Sequence, residues 1–244
     1  LAWASNQLAV RGGLLLLTAR FIPGGRTAIT VASGVTRQPR RRFALWAGLA
    51  AAFATAARPN GIAVVAACAV ASFLAIRERR EWRSLIAPLL SPLGVIAFQW
   101  YVGVRAHERG VWFRVQHEAW REGTSYGMTA LRRTYEAFIH PLSSPTNLVT
   151  AVSVITLVAL GWCWWRFRLP AALTAYSVAI VVLMLLPETV TARPRFLYTA
   201  FPLLIPAAEW FGRHKKELWP YTVAACATGL VTLTALYGVF GAIP

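Results

Sequence analysis

Long apolar segments alternate along the chain with short clusters of arginine. The apolar segments are residues 43–57, 61–76, 85–104, 147–165, 170–187, 196–211 and 218–243. A straight transmembrane helix needs about 20 such residues. The first two segments fall short of this length and are separated only by residues 58–61, where Pro59 and Gly61 break a helix, so they form either short spans or a partly inserted hairpin. The pattern predicts an all-α, polytopic integral membrane protein with about seven apolar helices.

The N-terminal residues 1–42 depart from this pattern. Residues 14–35 are long enough to span a bilayer, but Arg20, Arg26 and the Pro23-Gly24-Gly25 run lie in the middle of them. An arginine at the centre of a bilayer costs about 2.5 to 3.5 kcal/mol on insertion scales, which disfavours a helix that faces lipid. We therefore expect a broken or re-entrant segment that is covered by other helices.

The basic residues predict the orientation of the chain. If the spans alternate, the short basic connections 37–42, 77–83, 166–168 and 213–216 share one face, and the long loop 105–146 lies on the other. The positive-inside rule then places the short connections in the cytoplasm and the long loop outside. We expect a multi-pass protein of the plasma membrane that has the lipid bilayer as its partner.

Composition supports a membrane protein and excludes other classes. Hydrophobic residues make up 57% of the 244 residues and charged residues 14%, with a formal net charge of +16. Because the basic residues flank apolar runs instead of forming one stripe, we expect no nucleic-acid partner. The four His and three Cys show no metal-ligand spacing, so no metal site is predicted, and no phosphate-binding glycine loop or serine nucleophile motif is present.

The connection "PETVTARPRF", residues 187–196, is the strongest candidate for chemistry. Arg193 and Arg195 could hold a phosphate or pyrophosphate through charge-assisted hydrogen bonds, with Glu188 orienting them. The alternative is an ordinary charged loop with an internal Glu–Arg pair.

A second candidate is "ARPNG", residues 57–61. Arg58 and Asn60, on an outer turn, could contact a sugar or a lipid phosphate. In the alternative interpretation the turn only breaks the helix, and Arg58 extends its guanidinium to the membrane surface.

The long outer loop, residues 105–146, supplies a third candidate. Gln116 and Trp120 combine a hydrogen-bonding amide with an aromatic surface, which is typical of carbohydrate binding, and Glu118 or Glu122 is a weak candidate for a general base. The alternative is an interfacial loop whose tryptophan lies in the aromatic belt.

The same loop contains an amphipathic stretch, "TALRRTYEAFIHPL". Leu131, Tyr135 and Phe138 share one face of a helix, which we expect to lie on the bilayer surface or on the protein core.

Residues 43–244 resemble the C-terminal part of actinobacterial PIG-V-like mannosyltransferases of the GT-C superfamily. The resemblance is carried by "ATAARPNGIAVVAACAVA", "WFRVQHEAW", "HPLSSPTNLVT" and "LPETVTARPRFLYTAFPLL". It implies a membrane glycosyltransferase that transfers mannose from a polyprenyl-phosphate-mannose donor to an extracytoplasmic glycan or lipid acceptor. It also implies that the donor and acceptor cavity includes Gln116, Trp120, Arg193 and Arg195.

Residues 3–43 resemble a different family, the DedA membrane proteins. The run "RGGLLLLTARFIPGGRTAITVASG" matches the Arg-Phe-x-Pro-Gly-x-Arg signature of that family, with Arg20, Pro23, Gly24 and Arg26 at the motif positions. This resemblance implies the alternative function, transport of a membrane lipid such as undecaprenyl phosphate. The carboxylates that pair with the arginines in that family are missing, because the first acidic residue is Glu78.

Both resemblances are incomplete. GT-C enzymes use an acidic residue, usually Asp, in their first outer loop, and all nine acidic residues of this chain are Glu. We therefore expect the chain to be a gene fusion, a truncated reading frame or an assembly join, with little or no transferase activity alone. The resemblance implies a divalent metal only for an intact parent enzyme, and no cofactor is assigned to this chain.

Overall fold

The computed structural model describes residues 40–57, 59–120, 122–141, 144–188, 194–214 and 216–240. Within these ranges the protein is all-helical, which confirms the all-α part of the predicted fold class. The sole strand-like pairing found in these ranges is an isolated antiparallel bridge between Thr124 and Pro187.

The chain divides into two compact units, Leu1–Arg114 and Val115–Pro244. The described helices of the first unit are α1 (Arg40–Ala57), α2 (Ile62–Arg79), α3 (Ile86–Leu90) and α4 (Leu93–Ala106), and α5 (Val111–Trp120) contains the boundary. Those of the second unit are α6 (Met128–Ile139), α7 (Pro145–Arg166), α8 (Ala171–Leu185), α9 (Pro194–Thr199), α10 (Leu204–His214) and α11 (Trp219–Phe240). Short 3₁₀ turns cover Pro59–Gly61, Trp82–Leu85, Phe201–Leu203 and Lys216–Leu218. The predicted boundary after residue 42 stays a prediction.

The predicted apolar segments are helical, but residues 196–211 do not form one continuous helix. They contain the larger parts of α9 and of α10, which are separated by the 3₁₀ turn Phe201–Leu203. Pro202 in this turn has no backbone N–H and its ring clashes with the preceding turn, so a regular α-helix does not continue through it.

Small residues form the interior of the first unit. All of its residues found buried are Gly, Ala, Ser or Thr, namely Gly48, Ala51, Ala54, Thr55, Gly61, Ala63, Ser72, Ser91 and Gly94. Helix α1 packs against α3 and α4. A Cβ placed on Gly94 would overlap the carbonyl oxygen of Ala52 and lie 2.6 Å from its carbonyl carbon. The absence of a side chain at Gly94 therefore permits this close helix contact.

Hydroxyl groups join the helices of this interior. Ser72 on α2 donates from Oγ to the carbonyl oxygen of Ser84 at 2.7 Å, and Ser84 Oγ is 2.7 Å from the carbonyl oxygen of Glu81. Hydrogen bonds of this kind between helices are an established means of helix association where apolar side chains face outward.

In the second unit, α6 packs against the following helix, α7. The buried face of α6 consists of Ala130 and Ala137, whereas Leu131, Tyr135 and Phe138 are 60–70% exposed. Of the two predicted positions of this apolar stripe, the protein core is therefore excluded, and the bilayer surface stays a prediction. The two alanines occupy that position because small side chains let α6 approach α7 closely.

Among the residues that the structure describes, two helical segments are long and apolar enough to cross a membrane, Trp82–Ala106 with 25 residues and Pro145–Arg166 with 22. Leu45–Ala57 and Ala171–Leu185 are shorter apolar helices. Only 6% and 28% of the apolar windows of the two long segments are buried within the protein. The core helix of a water-soluble protein would be mostly buried, so these segments present their apolar surface outward.

Candidate functional site

An antiparallel bridge in the second unit connects the chain after α5 to the end of α8. The backbone N–H of Ser125 donates to the carbonyl oxygen of Leu186 at 2.9 Å, and that of Glu188 donates to the carbonyl oxygen of Gly123 at 2.9 Å. The Ser125 hydroxyl donates to the carbonyl oxygen of Pro187 at 3.2 Å, across a separation of 62 residues. These three hydrogen bonds join the outer loop to Leu186 and the first two residues of "PETVTARPRF", two segments that were identified separately in the sequence.

Glu188 folds its carboxylate back over the bridge. A Cβ placed on Gly123 would overlap Oε2 of Glu188, so the carboxylate occupies the space that a side chain at position 123 would need. Glu188 is itself exposed. The bridge thus holds a solvent-accessible carboxylate against the backbone of the outer loop.

The outer loop places the backbone of a second glutamate, Glu122, beside the bridge. Glu122 directly precedes Gly123, and its backbone N–H donates to the carbonyl oxygen of Gln116 at 3.3 Å. Nδ1 of His117 lies 3.4 Å from the carbonyl oxygen of Glu122. Glu122 and Gln116 are therefore next to the bridge that holds Glu188, whereas Glu118 is exposed on the last turns of α5. We name this group, Gln116, Glu122, Gly123 and Glu188, the bridge site.

Helix α6 begins directly after the bridge and carries a network of charged groups. Nε of Arg132 is 3.3 Å from Oε1 of Glu136, and Oε2 of Glu136 accepts a hydrogen bond of 2.9 Å from Nδ2 of Asn147 on α7. Nη1 of the neighbouring Arg133 is buried and forms no hydrogen bond. Sequence analysis did not select Arg133, because its burial depends on how α6 packs.

The turn between α4 and α5, in the first unit, contains an ion pair that sequence analysis also missed. Nε of Arg114 donates to Oε1 of Glu108 at 2.8 Å, and Nη2 of Arg114 contacts Oε2, so the contact is bidentate. The hydrogen bonds from Arg114, and its positive charge, hold the pKa of Glu108 below its usual value. A separation of six residues across a turn is not a helical spacing, so the sequence pattern gave no signal for this pair.

The other predicted site residues are distributed as follows. Arg20, Pro23, Gly24, Arg26, Arg58 and Arg193 lie outside the described residues. Trp120 is the last residue of α5, and Arg195 is the second residue of α9. Asn60 is half-buried in the 3₁₀ turn Pro59–Gly61 of the first unit.

A metal was implied by resemblance only for an intact parent enzyme. Among the described residues there is no group of three or more His, Cys, Asp or Glu side chains that could hold a metal ion. These residues therefore do not fit the implied metal, and no step of the chemistry below is assigned to one.

Comparison of the chain with protein-family models, with curated proteins and with solved structures gives no match. Both resemblances therefore rest on the quoted motifs alone. Of these motifs, "WFRVQHEAW" ends at Trp120 and "LPETVTARPRFLYTAFPLL" begins at Leu186. The bridge pairs Gly123–Ser125, which follow the first motif, with Leu186–Glu188, which begin the second.

Proposed function

We propose that this chain is a multi-pass membrane protein that binds a polyprenyl-phosphate-linked sugar at the bridge site, as a glycosyltransferase-like protein of the GT-C type. The observation that carries the proposal is the antiparallel bridge of the second unit. It joins the loop that contains Gln116 and Glu122 to the segment that begins with Glu188 and continues to Arg193 and Arg195.

Packing supports the membrane part of the proposal. Small residues fill the interior of the first unit, and large apolar side chains cover the outside of the long helices. On α7, the outward stripe contains Leu148, Val152, Ile155, Val158 and Trp162. This arrangement, small inside and large outside, is typical of helices that pack within lipid.

The seven-segment topology belongs to the proposal as well. Two long segments satisfy the length and hydropathy of a span, and we extend this to α1, α2, α8 and α11. The interrupted segment 196–211 enters the membrane as two short helices, with the break at Pro202 covered by protein.

The chemistry follows from the residue types at the bridge site. Arg193 and Arg195 would bind the donor phosphate through charge-assisted hydrogen bonds, and Glu188 would orient their guanidinium groups. Gln116 and Trp120 would contact the sugar. Glu122 or Glu118 would be the base if transfer occurs, since a base must be within hydrogen-bond reach of the acceptor hydroxyl.

Binding is the property that we expect to measure, with little or no turnover. Arginines can hold a lipid phosphate, but they do not deprotonate an acceptor hydroxyl. The chain has no Asp for the role that the resemblance assigns to one.

A binding assay tests the proposal. The full chain is reconstituted in phosphatidylcholine vesicles, and binding of polyprenyl-phosphate-mannose is compared with binding of polyprenyl phosphate. We expect Arg195→Gln and Glu188→Gln to weaken donor binding, and Glu217→Gln, in the 3₁₀ turn before α11, to leave it unchanged. Equal binding by all variants contradicts the proposal. Turnover that Glu118→Gln or Glu122→Gln abolishes contradicts the expected inactivity.

The alternative function, a lipid transporter of DedA type, is supported by the N-terminal motif alone. It predicts that Arg20→Ala impairs recycling of a lipid carrier while Arg193→Ala has no effect. The proposed function predicts that Arg193→Ala weakens donor binding. Measuring both variants in both assays separates the two functions.

A further inference from the structure

An aromatic cluster lies where α7, α10 and α11 meet in the second unit. Trp162 contacts Trp210 edge to face with ring centroids 6.0 Å apart, and Phe211 contacts Trp219 at 5.9 Å. The ring of His214 stacks on Trp210 at 6.0 Å with an angle of 17° between the planes. The ends of these three helices are therefore held together by ring contacts.

Several aromatic side chains at this end also face outward. Trp162 and Trp219 are about half exposed, and Trp165 and Tyr221 are more than 70% exposed. Tryptophan and tyrosine combine a large apolar ring with one polar group, which favours the boundary between the hydrocarbon core and water. A ring of such residues at one end of a long apolar helix marks that boundary.

Two exposed arginines lie at the end of α7: Arg166 is its last residue, and Arg168 follows in the turn. Arg213 contacts the Glu209 carboxylate, and its guanidinium carbon lies 5.3 Å from the ring centroid of Phe167. Arg166 and Arg168 are exposed and form no ion pair in the part of the chain that the structure describes. Their positive charge is thus available to an anion from outside the protein.

The length of α7 agrees with this placement. Its 22 residues extend for about 33 Å, close to the thickness of a hydrocarbon core. The end opposite the cluster is polar, because Asn147 there donates to Glu136. Asn147 and the exposed Trp165 lie 18 residues apart on α7, about 27 Å along its axis, a spacing that suits the two boundaries of a hydrocarbon core.

We propose that Trp162, Trp165, Arg166, Arg168 and Trp219, which we name the Trp–Arg belt, bind the headgroups of anionic phospholipids. The guanidinium groups of Arg166 and Arg168 would donate hydrogen bonds to the phosphodiester oxygens, and the tryptophan rings would lie against the glycerol region. The excess positive charge favours an anionic headgroup over a zwitterionic one. This inference rests on the membrane location in the proposed function, but not on sugar binding.

Lipid selectivity tests the inference. The full chain is reconstituted in phosphatidylcholine vesicles at low salt, without sugar donor, and electron paramagnetic resonance compares spin-labelled phosphatidylglycerol with spin-labelled phosphatidylcholine at the protein surface. We expect the wild-type chain to prefer phosphatidylglycerol. Each arginine that binds lipid independently should contribute about a fivefold preference. Arg166→Gln/Arg168→Gln should lower the preference by that factor for each such arginine removed.

A matched control variant removes two arginines from the first unit instead. Arg105 and Arg109 are exposed residues of the first unit, and Arg105→Gln/Arg109→Gln should retain the preference. Arg166→Lys/Arg168→Lys keeps the charge and should restore part of it, which separates loss of charge from misfolding. The inference is overturned if the wild-type chain shows no preference, or if both glutamine variants lose it equally. Donor binding should be unchanged in Arg166→Gln/Arg168→Gln, so failure of the belt and failure of the bridge site give different results.

Discussion

The hydroxyl oxygen of Thr55 on α1 lies 2.8 Å from the carbonyl oxygen of Ser91, at the break between α3 and α4. The same hydroxyl is 2.8 Å from the carbonyl oxygen of Ala52 within α1. Ser91 has no exposed surface, and Thr55 is 3% exposed. The other interior residues of this unit are small. The contact between Thr55 and Ser91 therefore fixes the position of α1 against the α3–α4 pair.

Replacing Thr55 tests the value of that contact. Thr55→Val keeps the shape of the side chain and removes the donor, so we expect it to lower the free energy of unfolding by about 1 kcal/mol, as measured for hydrogen bonds between membrane helices. Thr55→Ser keeps the hydroxyl and should be closer to wild type. Reversible unfolding in mixed micelles gives both values. A serine variant less stable than the valine variant would contradict this interpretation.

Gly94 is the position at which the first unit should tolerate a side chain least. An added Cβ would overlap the backbone carbonyl oxygen of Ala52, and backbone cannot rotate aside as a side chain can. We expect Gly94→Ala to destabilise the protein by about 1 to 3 kcal/mol or more. Gly161→Ala on α7, where no atom lies within 4 Å of the added Cβ, is the control. It should be neutral or stabilising in the same unfolding assay.

Substitution of Gly123 should destabilise the protein less than substitution of Gly94. The added Cβ would meet an atom of Glu188, which is an exposed side chain. Gly123→Ala should displace the Glu188 carboxylate while the bridge hydrogen bonds persist. We expect a change in stability of about 0.5 kcal/mol or less, which is the usual range for a surface substitution. Donor binding should weaken in the same direction as in Glu188→Gln. Normal donor binding in both variants would show that the Glu188 carboxylate has no role there.

The Glu108–Arg114 pair predicts a dependence of stability on pH. Because the pKa of Glu108 is lower in the folded protein than the value of about 4.3 for an unfolded chain, its contribution is present at neutral pH. That contribution is lost as pH falls through the lowered pKa. In Arg114→Gln the pKa of Glu108 should rise toward its usual value. A carbon-13 NMR titration of the Glu108 carboxyl measures this pKa, and an unchanged value in the variant would contradict the assignment.

The helical class was predictable because apolar length alone specifies it, and the segments 85–104 and 147–165 correspond to the long helical segments Trp82–Ala106 and Pro145–Arg166. The break at Pro202 was not predicted, because an apolar run was counted without weighing the proline inside it. The stripe on α6 was predicted to lie on the bilayer surface or on the protein core, and the structure excludes only the core. Hydrophobic periodicity identifies the stripe of Leu131, Tyr135 and Phe138, but in a protein that packs through small residues the alanine face is the buried one.

The residue types of the candidate site were predictable from the sequence, but their proximity in the fold was not. Glu122 and Glu188 were selected in separate segments, and no local pattern indicates that Ser125 would pair with Leu186. Arg133 and Arg114 were not selected, since burial and ion pairing across a turn depend on tertiary packing. The sequence thus identifies the charged groups themselves more readily than the contacts between them.

Disulfide cross-linking across the bridge tests the central claim most directly. Thr124 and Pro187 are opposed residues that exchange no backbone hydrogen bonds with each other, the antiparallel geometry in which facing Cα atoms are about 4.5 Å apart, within the range of a disulfide. In a full chain without its native cysteines, Thr124→Cys/Pro187→Cys should cross-link rapidly under mild oxidation and still bind polyprenyl-phosphate-mannose. Thr124→Cys/Pro170→Cys is the matched control, because Pro170 precedes the opposite end of α8, about 22 Å away. Equal cross-linking of the two pairs, or none in either, would contradict the bridge site.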